Sequence, residues 1–170
     1  MTVLVENDLE FDFSSAMEAI IFDDDTLHNP STIKRVDFIA EFNDRFIFLE
    51  VKDPDMPGAA NPEAFKTKLL TGTLIPDLAG KYRDSSWFRT LSGKATKPIH
   101  YVVLISMASL EPALLLAKQD ELKRSMPITH KDWSAPCVAG CAILNMDQYK
   151  KQFGANSVRR LSAEANDGNT

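Results

Sequence analysis

Residues 36–53, VDFIAEFNDRFIFLEVKD, constrain this chain more than any other stretch. Two runs rich in Val, Ile and Phe are split by Asn43-Asp44, a composition that favours a β-hairpin over a helix. With Asn43 and Asp44 as the central turn residues, Phe42 faces Arg45 and Asp37 faces Glu50. Side chains directly opposed across a hairpin share a face, with Cβ atoms about 4.5–5.5 Å apart. Strand alternation adds Lys52 to the face that carries Glu50. Register alone therefore brings Asp37, Glu50 and Lys52 together, and a one-residue slip would separate them. The plain alternative is a solvated cross-strand ion pair. Ile39, Phe46 and Phe48 fall on the same face, so three charges at one end of an apolar face favour a site.

Two converging carboxylates repel unless a proton or a cation lies between them. Mg²⁺ is commonly held by one or two carboxylates, with water and substrate phosphate completing its shell. It acidifies bound water and stabilises charge on a transferring phosphoryl group. A neighbouring lysine can orient the attacking water and stabilise the developing oxyanion. Two acids and a lysine on one face thus point to phosphodiester chemistry.

Around the hairpin, residues 8–22 read as a helix. Leu9, Phe13, Met17 and Ile20 recur at helical spacing, and Asn7 with Glu10 forms a start signal. Asn61 followed by Pro62 opens a second helix to about Leu70. It breaks at Gly72 and resumes over residues 75–84. Residues 98–107 and 138–146 read as strands, 110–124 as a helix capped by Ser109, and 147–153 as a short helix. The expected fold is α/β, a sandwich of helices around a central mixed sheet. It occupies residues 1–153 as one domain, with 154–170 a polar, disordered tail.

The chain carries a net charge of −5, yet its basic residues are not spread evenly. Residues 64–97 hold seven bases and two acids, a local +5, which leaves −10 elsewhere. That basic stretch is a candidate phosphate-contact surface, with Lys66, Lys81 and Arg83 the residues singled out. Tyr82, Trp87 and Phe88 within it could stack bases, but core packing is the commoner use of such residues. Cys137 and Cys141 lie in an apolar run and read as buried thiols. With no basic-then-apolar leader and no long apolar span, a cytoplasmic protein without membrane insertion is expected.

Asp37, a spacer of 12 residues, then Glu50-Val51-Lys52 resembles the D–(D/E)XK motif of the PD-(D/E)XK nuclease superfamily. The resemblance covers residues 8 to 107 and implies a restriction-endonuclease-like α/β/α core. It further implies a Mg²⁺- or Mn²⁺-dependent hydrolase acting on nucleic acid, DNA above all, with Lys52 as the catalytic lysine. Asp37, Glu50 and Val51 would hold the metal. The superfamily often adds a glutamate from its first core helix. Glu18 is the candidate, although Ser15-x-x-Glu18 equally fits a capping box. A homodimer is compatible with the family. So is a catalytically silent module on the same fold that binds nucleic acid or protein. The chain departs from the family pattern in lacking a clear strand between Asp23 and Lys34, and Val36 stands where a proline often precedes the Asp.

Overall fold

The computed structural model describes residues 2–28, 32–126 and 128–163. Its N-terminal segment is built from strands: β1 (Val3–Glu6), β2 (Leu9–Asp12) and β3 (Glu18–Ile21). The helix expected over residues 8–22 is therefore absent. Leu9, Phe11 and Phe13 alternate with Glu10 and Asp12, a period-two pattern that overrides the helical spacing. Asn7 turns β1 into β2 with a φ of 54°, a left-handed conformation that asparagine tolerates. Strand β3 also supplies the element that the sequence pattern lacked, upstream of Asp23.

A single helical turn, α1 (Asp25–His28), leads on towards the hairpin of β4 (Phe38–Glu41) and β5 (Phe46–Lys52). Its register is the expected one: Phe38 pairs with Leu49, Ile39 with Phe48, and Phe42 N–H donates to the Arg45 carbonyl. Helix α2 (Pro62–Leu70) is capped by Asn61, whose side chain accepts from Ala64 N–H. Gly72, with a φ of 78°, makes the break before α3 (Ile75–Leu91). That helix continues well past Asp84 because Ser85 and Ser86 are buried on its inner face rather than looped out. Strand β6 (Ile99–Ile105), helix α4 (Pro112–Ser125), strand β7 (Gly140–Leu144) and helix α5 (Met146–Phe153) follow. The cap of α4 is Glu111, not Ser109, while α5 carries a full capping box from Asn145 and Gln148. Strand β8 (Val158–Arg160) comes next, and residues 161–163 are helical. Part of the segment read as a tail is thus structured, and 164–170 lie outside the described residues.

A five-strand mixed sheet, β3-β4-β5-β6-β7, forms the centre. β3, β4 and β5 are antiparallel neighbours, while β5-β6 and β6-β7 run parallel. One face packs under α2, α3 and α4 through Ile39, Phe48, Tyr101 and Val103 against Leu69, Leu78 and Leu115. The other face, with Phe38, Leu49, Val102 and Leu104, is covered by α5 and by a small β1-β2-β8 sheet. This is the expected α/β sandwich around a central mixed sheet, with a three-strand sheet sharing the second outer layer. Strand β5 lies at the middle of the sheet and is buried on both faces from Phe46 to Val51. No helix among the described residues is long and apolar enough to cross a membrane.

The small sheet is fastened by Arg160. Its guanidinium reaches Asp53 at 2.6 Å, Asp8 at 2.9 Å and the Ser106 hydroxyl at 2.6 Å. Removing it leaves the fully buried Asp53 carboxylate unpaired. We expect Arg160→Met to cost about 2 kcal/mol, discounted from the roughly 3–5 typical of a deeply buried pair because Arg160 is partly exposed. Urea unfolding measures it, and a loss below about 0.5 kcal/mol would contradict the assignment.

Candidate active site

Asp37 sits at the mouth of the hairpin, and its backbone is held on both sides. Its carbonyl accepts from Phe22 N–H at 2.8 Å, continuing the β3–β4 pairing. The preceding Val36 N–H donates to the buried Ser85 hydroxyl of α3 at 3.0 Å. The Asp37 side chain crosses to β5, where Oδ2 accepts the Val51 N–H at 2.6 Å. Oδ1 is left facing α3.

Glu50 is more enclosed still. It lies on the central strand between β4 and β6 with no solvent exposure. The Lys52 and Lys81 ammonium groups both stand 2.7 Å from Glu50 Oε1. Lys81 also lies 3.6 Å from Asp37 Oδ1. The two contacts to Glu50 are ion pairs by distance without hydrogen-bond alignment, and Oε2 has no hydrogen-bond partner among the described residues. Burial, and then the Asp37 charge, push the Glu50 carboxyl from its ordinary 4.5 up to about 7, against the pull of both lysines. Burial likewise raises Asp37. Lys81 is raised as well: burial pulls it down most strongly, but Glu50 and Asp37 together outweigh that.

Register thus brings Asp37, Glu50 and Lys52 together, and α3 adds Lys81. Lys81 was expected on a phosphate-contact surface. It points inward because α3 is anchored over the sheet by Tyr101, whose hydroxyl donates to the Leu78 carbonyl, and by buried Leu78 and Tyr82. Tyr82 donates to the Cys137 carbonyl, and Phe88 packs on Phe22 and His28, so both are core residues. Trp87 is exposed. Arg83 is exposed beside Asp84, and Lys66 is half-buried on α2. Lys34, which the sequence did not single out, crosses Gly80 near Arg83 and pairs with Asp77 at 2.7 Å.

Glu18 is the corrected residue. It lies on β3 rather than a helix and pairs with Glu41, at the opposite end of β4 from Asp37. Four residues of strand separate Glu41 from Asp37, about 13 Å, which removes Glu18 from the site. Glu6, at the end of β1, enters the same electrostatic neighbourhood instead. Burial raises its pKa first, and Asp37 raises it further. No spacing in the sequence indicates this approach, because β1 belongs to the other sheet.

Metal-binding capacity is modest. Among the described residues, no group of three or more His, Cys, Asp or Glu is arranged to hold a metal. Two carboxylates are present, and Glu50 Oε2 is buried without a hydrogen-bond partner; a pair of carboxylates suits an ion that keeps waters and a phosphate ligand. Val51 adds the backbone between them, and its side chain is buried in the opposite core.

No protein-family profile matches the chain, and no curated protein matches it. Among solved structures, it is similar to the small subunit of the heterodimeric restriction endonuclease R.BspD6I, at 15% identity and a TM-score of 0.41. That superposition covers 85% of this chain, which spans 63% of the subunit.

The raised Glu50 pKa has a defined sign. Folding takes up a proton between the ordinary value of 4.5 and about 7, so this group favours the fold most below pH 4.5. Its contribution is lost as pH rises through 7. In urea unfolding, the stability of the wild type relative to Glu50→Gln should fall steadily from pH 4.5 to 8. A difference independent of pH would contradict it.

Proposed function

We propose that this chain is a metal-dependent phosphodiester hydrolase, a nuclease acting on DNA. The observation that carries the reading is the meeting of Asp37 and Glu50, both buried, with Lys52 on one Glu50 oxygen and the other oxygen unpartnered. Burying two carboxylates is costly unless positive charge is brought to them. A catalytic site is a common reason for such an arrangement.

Asp37, Glu50 and the Val51 backbone carbonyl would hold Mg²⁺ or Mn²⁺. When bound, the metal supplies an acidified water and stabilises charge on the phosphoryl group. Lys52, held beside Glu50, would orient that water and offset the oxyanion charge. Glu50 must be ionised to act as a ligand, which favours activity near and above neutral pH. Lys34 and Arg83, exposed together over Gly80, and Lys66 on α2 would take backbone phosphates as point charges. Association of two copies would let both strands of a duplex be cut.

One observation favours a second reading. Lys81 already brings positive charge to both carboxylates, so the fold is electrostatically satisfied without a metal. A silent module that binds nucleic acid or protein would have the same geometry. Cleavage of plasmid and oligonucleotide DNA and RNA with Mg²⁺ or Mn²⁺ separates the two. We expect DNA cleavage that falls by about 10²-fold or more in Asp37→Ala, Glu50→Ala and Lys52→Ala. Activity retained in these variants would refute the site, and salt-sensitive DNA binding without cleavage under any metal would establish the silent module.

A further inference from the structure

We infer that Lys81 is a resident counter-ion of this site, in contact with both Asp37 and Glu50, the two side chains that would hold a divalent cation, and that metal binding displaces it. This rests on the metal-site reading above and adds to it a specific exchange between a side chain and an ion.

The argument begins with charge. Asp37 and Glu50 together carry two negative charges when ionised, and Lys52 and Lys81 carry two positive charges. These four side chains balance one another, and Glu6 and Asp23 are the further acids within their field. Adding a divalent cation would set four positive charges against two negative ones in a space largely closed to solvent. Like charges at such range disfavour one another strongly where water cannot screen them.

Geometry decides which ammonium leaves. Lys52 contacts Glu50 alone and is carried on the same strand two residues away. Lys81 reaches both carboxylates, 2.7 Å from Glu50 Oε1 and 3.6 Å from Asp37 Oδ1. It arrives from α3 on a flexible four-carbon stem whose rotation does not disturb the sheet. Asp77, one turn earlier on the same helix, is held by Lys34 at 2.7 Å and lies at the acid-before-lysine spacing of four that helices favour, so the displaced ammonium would share it with Lys34. The unpartnered Glu50 Oε2 fits the same account: two ammonium groups crowd onto one oxygen and leave the other for a ligand that needs both.

Metal binding and thermal unfolding of the full chain test the exchange, using Mn²⁺ as the probe in titration calorimetry. Lys81→Met keeps the stem and removes the charge, and Lys81→Gln provides a second variant. Both should bind Mn²⁺ about tenfold more tightly than the wild type, and both should melt lower than the wild type without metal. In the wild type, amine-reactive labelling read by mass spectrometry should find Lys81 protected without metal and several-fold more reactive with Mn²⁺. Binding by both Lys81 variants but not by the wild type would also support the exchange. Equal or weaker Mn²⁺ binding in the variants, or Lys81 labelling unchanged by metal, overturns the exchange while leaving the metal site intact. Absence of Mn²⁺ binding in the wild type and both variants overturns the metal reading, and the exchange with it.

Discussion

A carboxylate on the central strand of a sheet, closed off from solvent, is an unfavourable object, and the architecture around Glu50 is arranged to balance it. Strands β4 and β6 wall it in on either side, and α3 lies over it. Ionised, it needs positive charge close by, which Lys52 supplies from the same strand and Lys81 from the helix above. That requirement fixes where α3 must sit. The tyrosine hydroxyls of Tyr101 and Tyr82 and the Ser85 hydroxyl hold it there, and Ser85 at the same time holds the backbone just before Asp37. One electrostatic demand therefore organises the sheet, the helix and the entry to the hairpin.

Polar tethers repeat this logic on the other face. Asp53 immediately follows Lys52, and its carboxylate meets Arg160 of the small sheet. Arg160 closes over it with help from Asp8 and Ser106. The end of β5 is thus gripped from both sides, by lysines on one face and by arginine on the other. A site whose geometry depends on residues 50–52 gains rigidity from both, since the supporting contacts limit how far the strand end can move.

The hairpin was legible because its information is local. Alternation and a two-residue turn specify which side chains oppose which, and the register that ends at Phe38–Leu49, next to Asp37 and Glu50, followed from counting. Helix α2 was equally legible from Asn61 and Pro62. The N-terminal segment misled because Leu9, Phe13, Met17 and Ile20 happen to fall at helical spacing, while the tighter alternation of Leu9, Phe11 and Phe13 was the stronger signal. Glu18 was lost from the site by that same misreading. Helix α3 ran longer than its polar sequence suggested, because Ser85 and Ser86 are buried and Ser85 meets the Val36 N–H, a partner that only packing could provide.

What the sequence by itself determined is the face: Asp37, Glu50 and Lys52 converge because a β-strand alternates with period two and the turn permits one register. What only the tertiary structure decided is the company that face keeps. Lys81 comes from a helix thirty-one residues further along the chain than Glu50, and Glu6 from a strand in a different sheet. Neither approach leaves a trace in local spacing, since long-range contacts arise from layers packing on one another. The burial that raises Glu50 to about 7 is likewise a property of those layers and not of the residue. The hairpin sets the chemistry that is available, and the packed helix above it sets the charge state in which that chemistry rests.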